Sequence, residues 1–109
     1  MERRNYPRIE ASTPIEFNVR HIESTEEPWL GRGVLANLSI TGIFFFPDNQ
    51  TPLKQGDIRD FIFTLPHAIE GLSRPSIIKA RGKVMRIEIS ENQRCPGVAV
   101  DFITGPYFG

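Results

Sequence analysis

Residues 76–89 read SIIKARGKVMRIEI, and this stretch decides the fold. Its charged residues up to Lys83 occupy odd positions, whereas from Met85 onward the odd positions are apolar. The faces of a β-strand alternate with a period of two residues, so this pattern predicts one strand whose phase changes near Gly82–Val84. One extra residue in the ladder, a β-bulge beside a glycine, produces such a change and bends the strand. Long bent strands allow a small sheet to close into a barrel.

Five further segments with strand-like apolar patterns surround this stretch, separated by loops rich in glycine and proline. They are Ile15–Arg20, Trp29–Ser39, Gly42–Phe46, Asp60–Leu65 and Val98–Phe102. No long segment carries an apolar stripe of helical period. We therefore predict an all-β fold, a small six-stranded antiparallel β-barrel with little or no C-terminal helix. The expected single domain, 1–109, divides into a flexible arm (1–13), the barrel (14–103) and a short tail (104–109).

The composition excludes several classes of protein. The 109 residues include 13 basic and 13 acidic side chains, which argues against a protein that grips nucleic acid through bulk charge. One cysteine excludes an internal disulfide and a four-cysteine zinc site. The longest uncharged stretch, Gly33–Pro47, is too short and too polar to span a membrane. Because the N-terminal MERRNYPRIE has no apolar run, we expect no secretory signal and a cytoplasmic location.

The sequence contains few candidate catalytic side chains. His21 and His67 lie in different segments, and neither has a serine or cysteine partner at motif spacing. Cys95 lacks a Cys-x-x-Cys or Cys-His signature. The sequence contains neither metal-ligand spacing nor a phosphate-binding glycine loop. We therefore predict that the chain is not an enzyme and has no catalytic residues, metal or cofactor.

Arginines dominate the basic residues, and three of them, Arg3, Arg4 and Arg8, lie together in the N-terminal segment RRNYPR. A guanidinium group binds phosphate oxygens through two parallel hydrogen bonds and also pairs with a guanine edge. Pro7 favours an extended arm over a helix. On these residues alone, a solvated arm that binds nothing is the alternative.

A second polar cluster lies between two strand candidates, where residues 37–42 read NLSITG. Asparagine and serine before a glycine are typical of a turn. The segment also presents the Asn37 amide and the Ser39 hydroxyl at the end of a strand, followed by Gly42.

Together the two segments resemble the pattern of the PilZ domain family. That pattern is R-x-x-x-R, often preceded by another arginine, with [D/N]-x-[S/A]-x-x-G roughly 30 residues later. The matching residues are Arg3, Arg4, Arg8, Asn37, Ser39 and Gly42. The closing segment Gly97–Phe102 is similar to the family's last barrel strand, and a six-stranded barrel is the family's architecture.

The resemblance implies a bacterial receptor for cyclic di-GMP, a second messenger with two phosphates and two guanines. In the family, the arginines engage phosphates and guanines, the Asn and Ser side chains hydrogen-bond the ligand, and the glycine lets the backbone approach it. We expect the Met1–Ile9 arm to be mobile without ligand and to close over the barrel when ligand arrives. The changed surface would bind or release a separate protein effector that controls motility, adhesion or exopolysaccharide production.

Two alternatives stay open. A PilZ-fold interaction module that binds no nucleotide would act through protein contacts. Phe45 should point away from Phe44 and Phe46, so at least one of these aromatics could be an exposed contact anchor; burial under a loop or in a homodimer is the equally plain alternative. A barrel for single-stranded nucleic acid would use Lys79, Arg81 and Lys83 as a track for the backbone. The zero net charge counts against the second alternative.

Overall fold

The computed structural model describes residues 13–65, 76–89 and 95–108. Within these ranges the chain forms six strands and no helix. They are β1 (Thr13–Arg20), β2 (Trp29–Leu38), β3 (Gly42–Pro47), β4 (Ile58–Leu65), β5 (Ser76–Glu88) and β6 (Gly97–Phe108). All pairings are antiparallel in the order β1-β2-β3-β6-β5-β4, and β4 pairs again with β1 to close the barrel. The predicted six-stranded antiparallel barrel is confirmed.

Aromatic side chains fill the core because every second residue of each strand turns inward. The Phe45 ring lies between Phe17 and Phe63, with centroid distances of 5.5 and 5.2 Å. Phe61 stacks on Phe63 at 5.8 Å. Phe45 therefore connects β3 to the paired strands β1 and β4 across the interior of the barrel.

The bulge predicted in β5 is present, slightly beyond the expected position. Val84 and Arg86 pair with consecutive residues of β6, so Met85 is the extra residue. Met85 is consequently 39% exposed, and Ile87 turns inward to pack against the core. The pattern placed Met85, Ile87 and Ile89 together on one apolar face. Of these three residues only Ile87 packs against the core, because Met85 is the bulge residue and Ile89 is 87% exposed beyond the strand end.

The last strand is longer than its sequence pattern indicated. We expected β6 to end at Phe102, but it continues to Phe108, and Tyr107 pairs with Lys79 of β5. Gly105 makes this continuation feasible because it adopts a φ of 101°, which side-chain-bearing residues rarely adopt. Residues 104–108, expected as a tail, therefore belong to the barrel wall.

Candidate functional site

The segment between β2 and β3 forms the predicted turn, fixed by its own polar groups. The Ser39 amide donates to the Gly42 carbonyl at 3.0 Å. The Thr41 amide donates to Ser39 Oγ at 3.2 Å, and the Ser39 and Thr41 hydroxyls lie 3.0 Å apart. Thr41, which the motif leaves unspecified, therefore orients the Ser39 hydroxyl.

Asn37 faces outward because β2 contains a bulge just before it. Leu35 pairs with Phe45 and Asn37 pairs with Phe44, so Ala36 is an extra residue. In a regular ladder Asn37 would point into the core, as the fully buried Leu35 does. With the bulge, Asn37 is exposed, and its amide makes no hydrogen bond to another described residue. The amide is thus available to a ligand.

Gly42 lies where the backbone of β6 passes against the turn. A Cβ atom at this position would lie 2.5 Å from the Val100 carbonyl oxygen and 3.3 Å from Asp101 Oδ1. The Phe102 amide also donates to the Thr41 carbonyl at 2.8 Å. The close approach of β6 explains the glycine, and a ligand contact at Gly42 stays a prediction.

An aromatic surface adjoins Asn37 on the outside of the barrel. The Phe44 and Phe46 rings contact edge to face with centroids 5.0 Å apart, and both are half-buried, whereas Phe45 is fully buried. These three residues therefore alternate between the outer face and the core, as the period of a strand requires. The Arg86 guanidinium lies 5.8 Å from the Phe44 centroid and forms an ion pair with Glu88. Arg86 and Phe44 were not singled out by the sequence motifs.

The predicted site residues Arg3, Arg4 and Arg8 lie outside the described residues. The register nevertheless defines where their segment joins the barrel, because Thr13 pairs with Leu35 near the end of β2. Asn37 is two residues further along β2. The chain therefore enters the barrel beside the β2–β3 turn.

The basic side chains on the outer face of β5 lie beside acidic side chains of the neighbouring strands. Arg81 makes two hydrogen bonds to Asp60, at 2.8 and 3.3 Å, and the hydrogen bond raises the pKa of the guanidinium above its ordinary value. Lys83 pairs in register with Asp101. These acidic neighbours lower the positive potential that a nucleic-acid backbone would need.

Other reactive side chains lie apart from this site. His21 Nε2 lies 3.8 Å from Glu26 Oε1, whereas His67 is outside the described residues. Cys95 is buried, with its sulfur 3.6 Å from the Asp48 carbonyl oxygen. In the described ranges no three His, Cys, Asp or Glu side chains converge as a metal site would require. The same ranges contain no helix of a length and apolarity suited to crossing a membrane.

Comparison with known proteins gives one match. The family model of the PilZ domain matches residues 2–106. No curated protein and no solved structure matches the chain. PilZ domains are binding and adaptor modules that in general bind cyclic di-GMP and interact with effector proteins. Since the match covers nearly the whole length of the sequence, the chain belongs to the PilZ domain family.

Proposed function

We propose that the protein is a cyclic di-GMP receptor whose site combines the N-terminal arginines with the β2–β3 turn. The observation that carries the proposal is the pairing of Thr13 with Leu35, which brings the entering chain beside Asn37. Arg8 is five residues before Thr13 and can reach at most about 18 Å from it in an extended chain. The turn is well within that reach.

The available groups match the chemistry of the ligand. Two phosphates and two guanines present many acceptors, and Arg3, Arg4 and Arg8 supply charged donors in a planar fork. The outward-facing Asn37 amide offers donors and an acceptor, and the Ser39 hydroxyl is already oriented by Thr41. Asn37 in place of an aspartate adds no negative charge beside the phosphates.

Ligand binding would act as a switch on a partner surface. In the proposed mechanism, the Met1–Ile9 arm orders over the barrel, and charge-assisted hydrogen bonds from its arginines offset the entropy lost on ordering. The changed surface would then bind or release a bacterial, cytoplasmic effector that controls motility, adhesion or exopolysaccharide production.

Calorimetric titration with cyclic di-GMP at a stated salt concentration tests the receptor function. The wild type should bind with low-micromolar or tighter affinity, and the stoichiometry will distinguish one ligand from a stacked pair. Arg4→Ala/Arg8→Ala should abolish binding, and Ser39→Ala should weaken it roughly tenfold, since a hydrogen bond to a charged group contributes about 1.5 kcal/mol. Arg32→Ala is the matched control. This exposed arginine lies nearer the start of β2 than Asn37 does, and it forms an ion pair with Glu16 of β1.

A PilZ-fold interaction module is the second candidate, favoured by apolar side chains at the end of β6. Ile103, Tyr107 and Phe108 are 55%, 60% and 62% exposed. Large exposed side chains of this kind serve as anchors in protein interfaces. If the wild type shows neither heat nor a change in melting temperature with cyclic di-GMP, this candidate replaces the receptor function.

A further inference from the structure

Four residues on four neighbouring strands form one row on the outer face of the barrel. Asn37 of β2 pairs with Phe44 of β3, Phe44 pairs with Ala99 of β6, and Ala99 pairs with Arg86 of β5. Directly paired residues of antiparallel strands point to the same side of the sheet. Arg86 therefore shares a surface with Asn37, although 49 positions separate them in the sequence.

Both ends of this row are turned outward by a bulge. In a regular ladder Met85 would pair with Ala99 and Arg86 would turn inward, but the extra Met85 lets Arg86 take that place. Ala36 has the same effect on Asn37. Bulges often re-aim a side chain beside a functional site. Here two independent bulges direct an amide and a guanidinium to one surface.

The Arg86 side chain extends back along the row toward Asn37. Its guanidinium carbon lies 5.8 Å from the centre of the Phe44 ring, and Phe44 is the direct neighbour of Asn37. Gly97 leaves room for this arrangement, because a Cβ there would lie 2.8 Å from both the Phe44 and Phe46 rings. The side chain remains 59% exposed although it is paired with Glu88. The guanidinium thus lies within cation–π distance of an aromatic ring, and the group is open to solvent.

We propose that Arg86 is a further ligand-binding residue, whose guanidinium, supported by Phe44, stacks on a guanine of a cyclic dinucleotide bound at the Asn37–Gly42 turn. This inference rests on the proposed receptor function. A planar guanidinium stacks on π-systems and on bases, which the compact ammonium of lysine does not do. The Arg86–Glu88 ion pair would keep the guanidinium in place and leave its outer face for the base.

The test compares Arg86→Ala and Arg86→Lys with Arg32→Ala in titrations with cyclic di-GMP. Stacking of one base contributes about 1–3 kcal/mol, so Arg86→Ala should weaken binding roughly 5- to 150-fold. Arg86→Lys should weaken it similarly because it keeps the charge but loses the plane. Arg32→Ala should remain within about twofold of the wild type, since exposed ion pairs contribute little. Thermal melting of each variant verifies that the barrel is folded.

A second measurement reports stacking independently of affinity. A cyclic dinucleotide that carries 2-aminopurine in place of one guanine should lose fluorescence on binding to the wild type and to Arg32→Ala. At saturating protein, Arg86→Ala should leave this fluorescence high. Unchanged affinity and quenching in Arg86→Ala, with a wild type that binds, would overturn the role of Arg86 alone. A wild type that does not bind cyclic di-GMP would overturn the receptor function and this inference with it.

Discussion

Val100 of β6 lies against glycines of both neighbouring strands. Gly42 of β3 lies against its carbonyl oxygen, and Gly82 of β5 lies against its Cγ1 atom. Val100 itself is only 2% exposed. The two glycines thus serve different contacts with one residue, and only one of these contacts is with a side chain that can be shortened.

This difference predicts a coupling energy in one double-mutant cycle and none in the other. Gly42→Ala and Gly82→Ala should each lower the free energy of unfolding by about 1–3 kcal/mol, because a methyl group has no room. Combining Gly82→Ala with Val100→Ala should recover about 1 kcal/mol relative to additivity, since the truncation removes the colliding methyl. Gly42→Ala should be additive with Val100→Ala, because the backbone oxygen remains. Urea denaturation measures all five variants, and equal coupling in both cycles would contradict this account.

At the scale of single residues, the sequence predicted local conformation better than contacts between distant parts of the chain. The motif correctly singled out a turn at residues 37–42, since glycine and small polar side chains have local conformational preferences. It did not predict that Gly42 is needed by β6, because that contact joins residues far apart in the chain. It also did not single out Arg86, whose place on the same surface as Asn37 depends on register across three pairs of strands.

At the level of single strands, the β5 bulge determines which of two apolar residues is structural. Met85→Asp should change the free energy of unfolding by less than about 1 kcal/mol, because Met85 is a partly exposed bulge residue. Ile87→Asp should cost about 2 kcal/mol or more, since Ile87 packs against the core and a carboxylate there would be desolvated. Chemical denaturation of this matched pair measures the difference. Equal tolerance at both positions would indicate a regular strand in which Met85 and Ile87 share the outer face.

The two bulges were unequally visible in the sequence. The phase change after Lys83 in β5 revealed one because charged and apolar residues exchange parity there. The bulge at Ala36 left a weaker signal, the three-residue spacing of Leu35 and Leu38, which both contact the core. Small residues such as Ala36 carry little information about which face they occupy, so the second bulge became evident only from the pairing of β2 with β3.

At the scale of the whole molecule, a rigid closed barrel would carry a ligand-dependent arm. Hydrogen exchange with and without cyclic di-GMP should show slowed exchange of amides in residues 1–9 on binding. Amides of β4, on the side of the barrel away from β3, should keep their exchange rates and serve as the internal control. Arm amides that are already protected without ligand, and unchanged by it, would contradict the switch.

Alternating apolar residues and regularly spaced turns were sufficient to predict the six strands and their closure. Strand ends were harder, because residues 104–108 contain a glycine and a proline that normally interrupt strands, yet pair with β5. Of the six predicted site residues the structure describes Asn37, Ser39 and Gly42, and ligand binding at all six stays a prediction. The three arginines lie outside the described residues, so the sequence pattern alone indicates their chemistry.

The alternating directions of the strands in the closed sheet bring the start of β1 and the end of β6 to the same end of the barrel. The β2–β3 turn lies at that end too. The largest dimension of the molecule is 37 Å, which limits the distance between these two strand ends. Two fluorescent reporters fused before β1 and after β6 would therefore flank the turn at short range. Resonance energy transfer between them would make the barrel a genetically encoded sensor without any redesign of its interior.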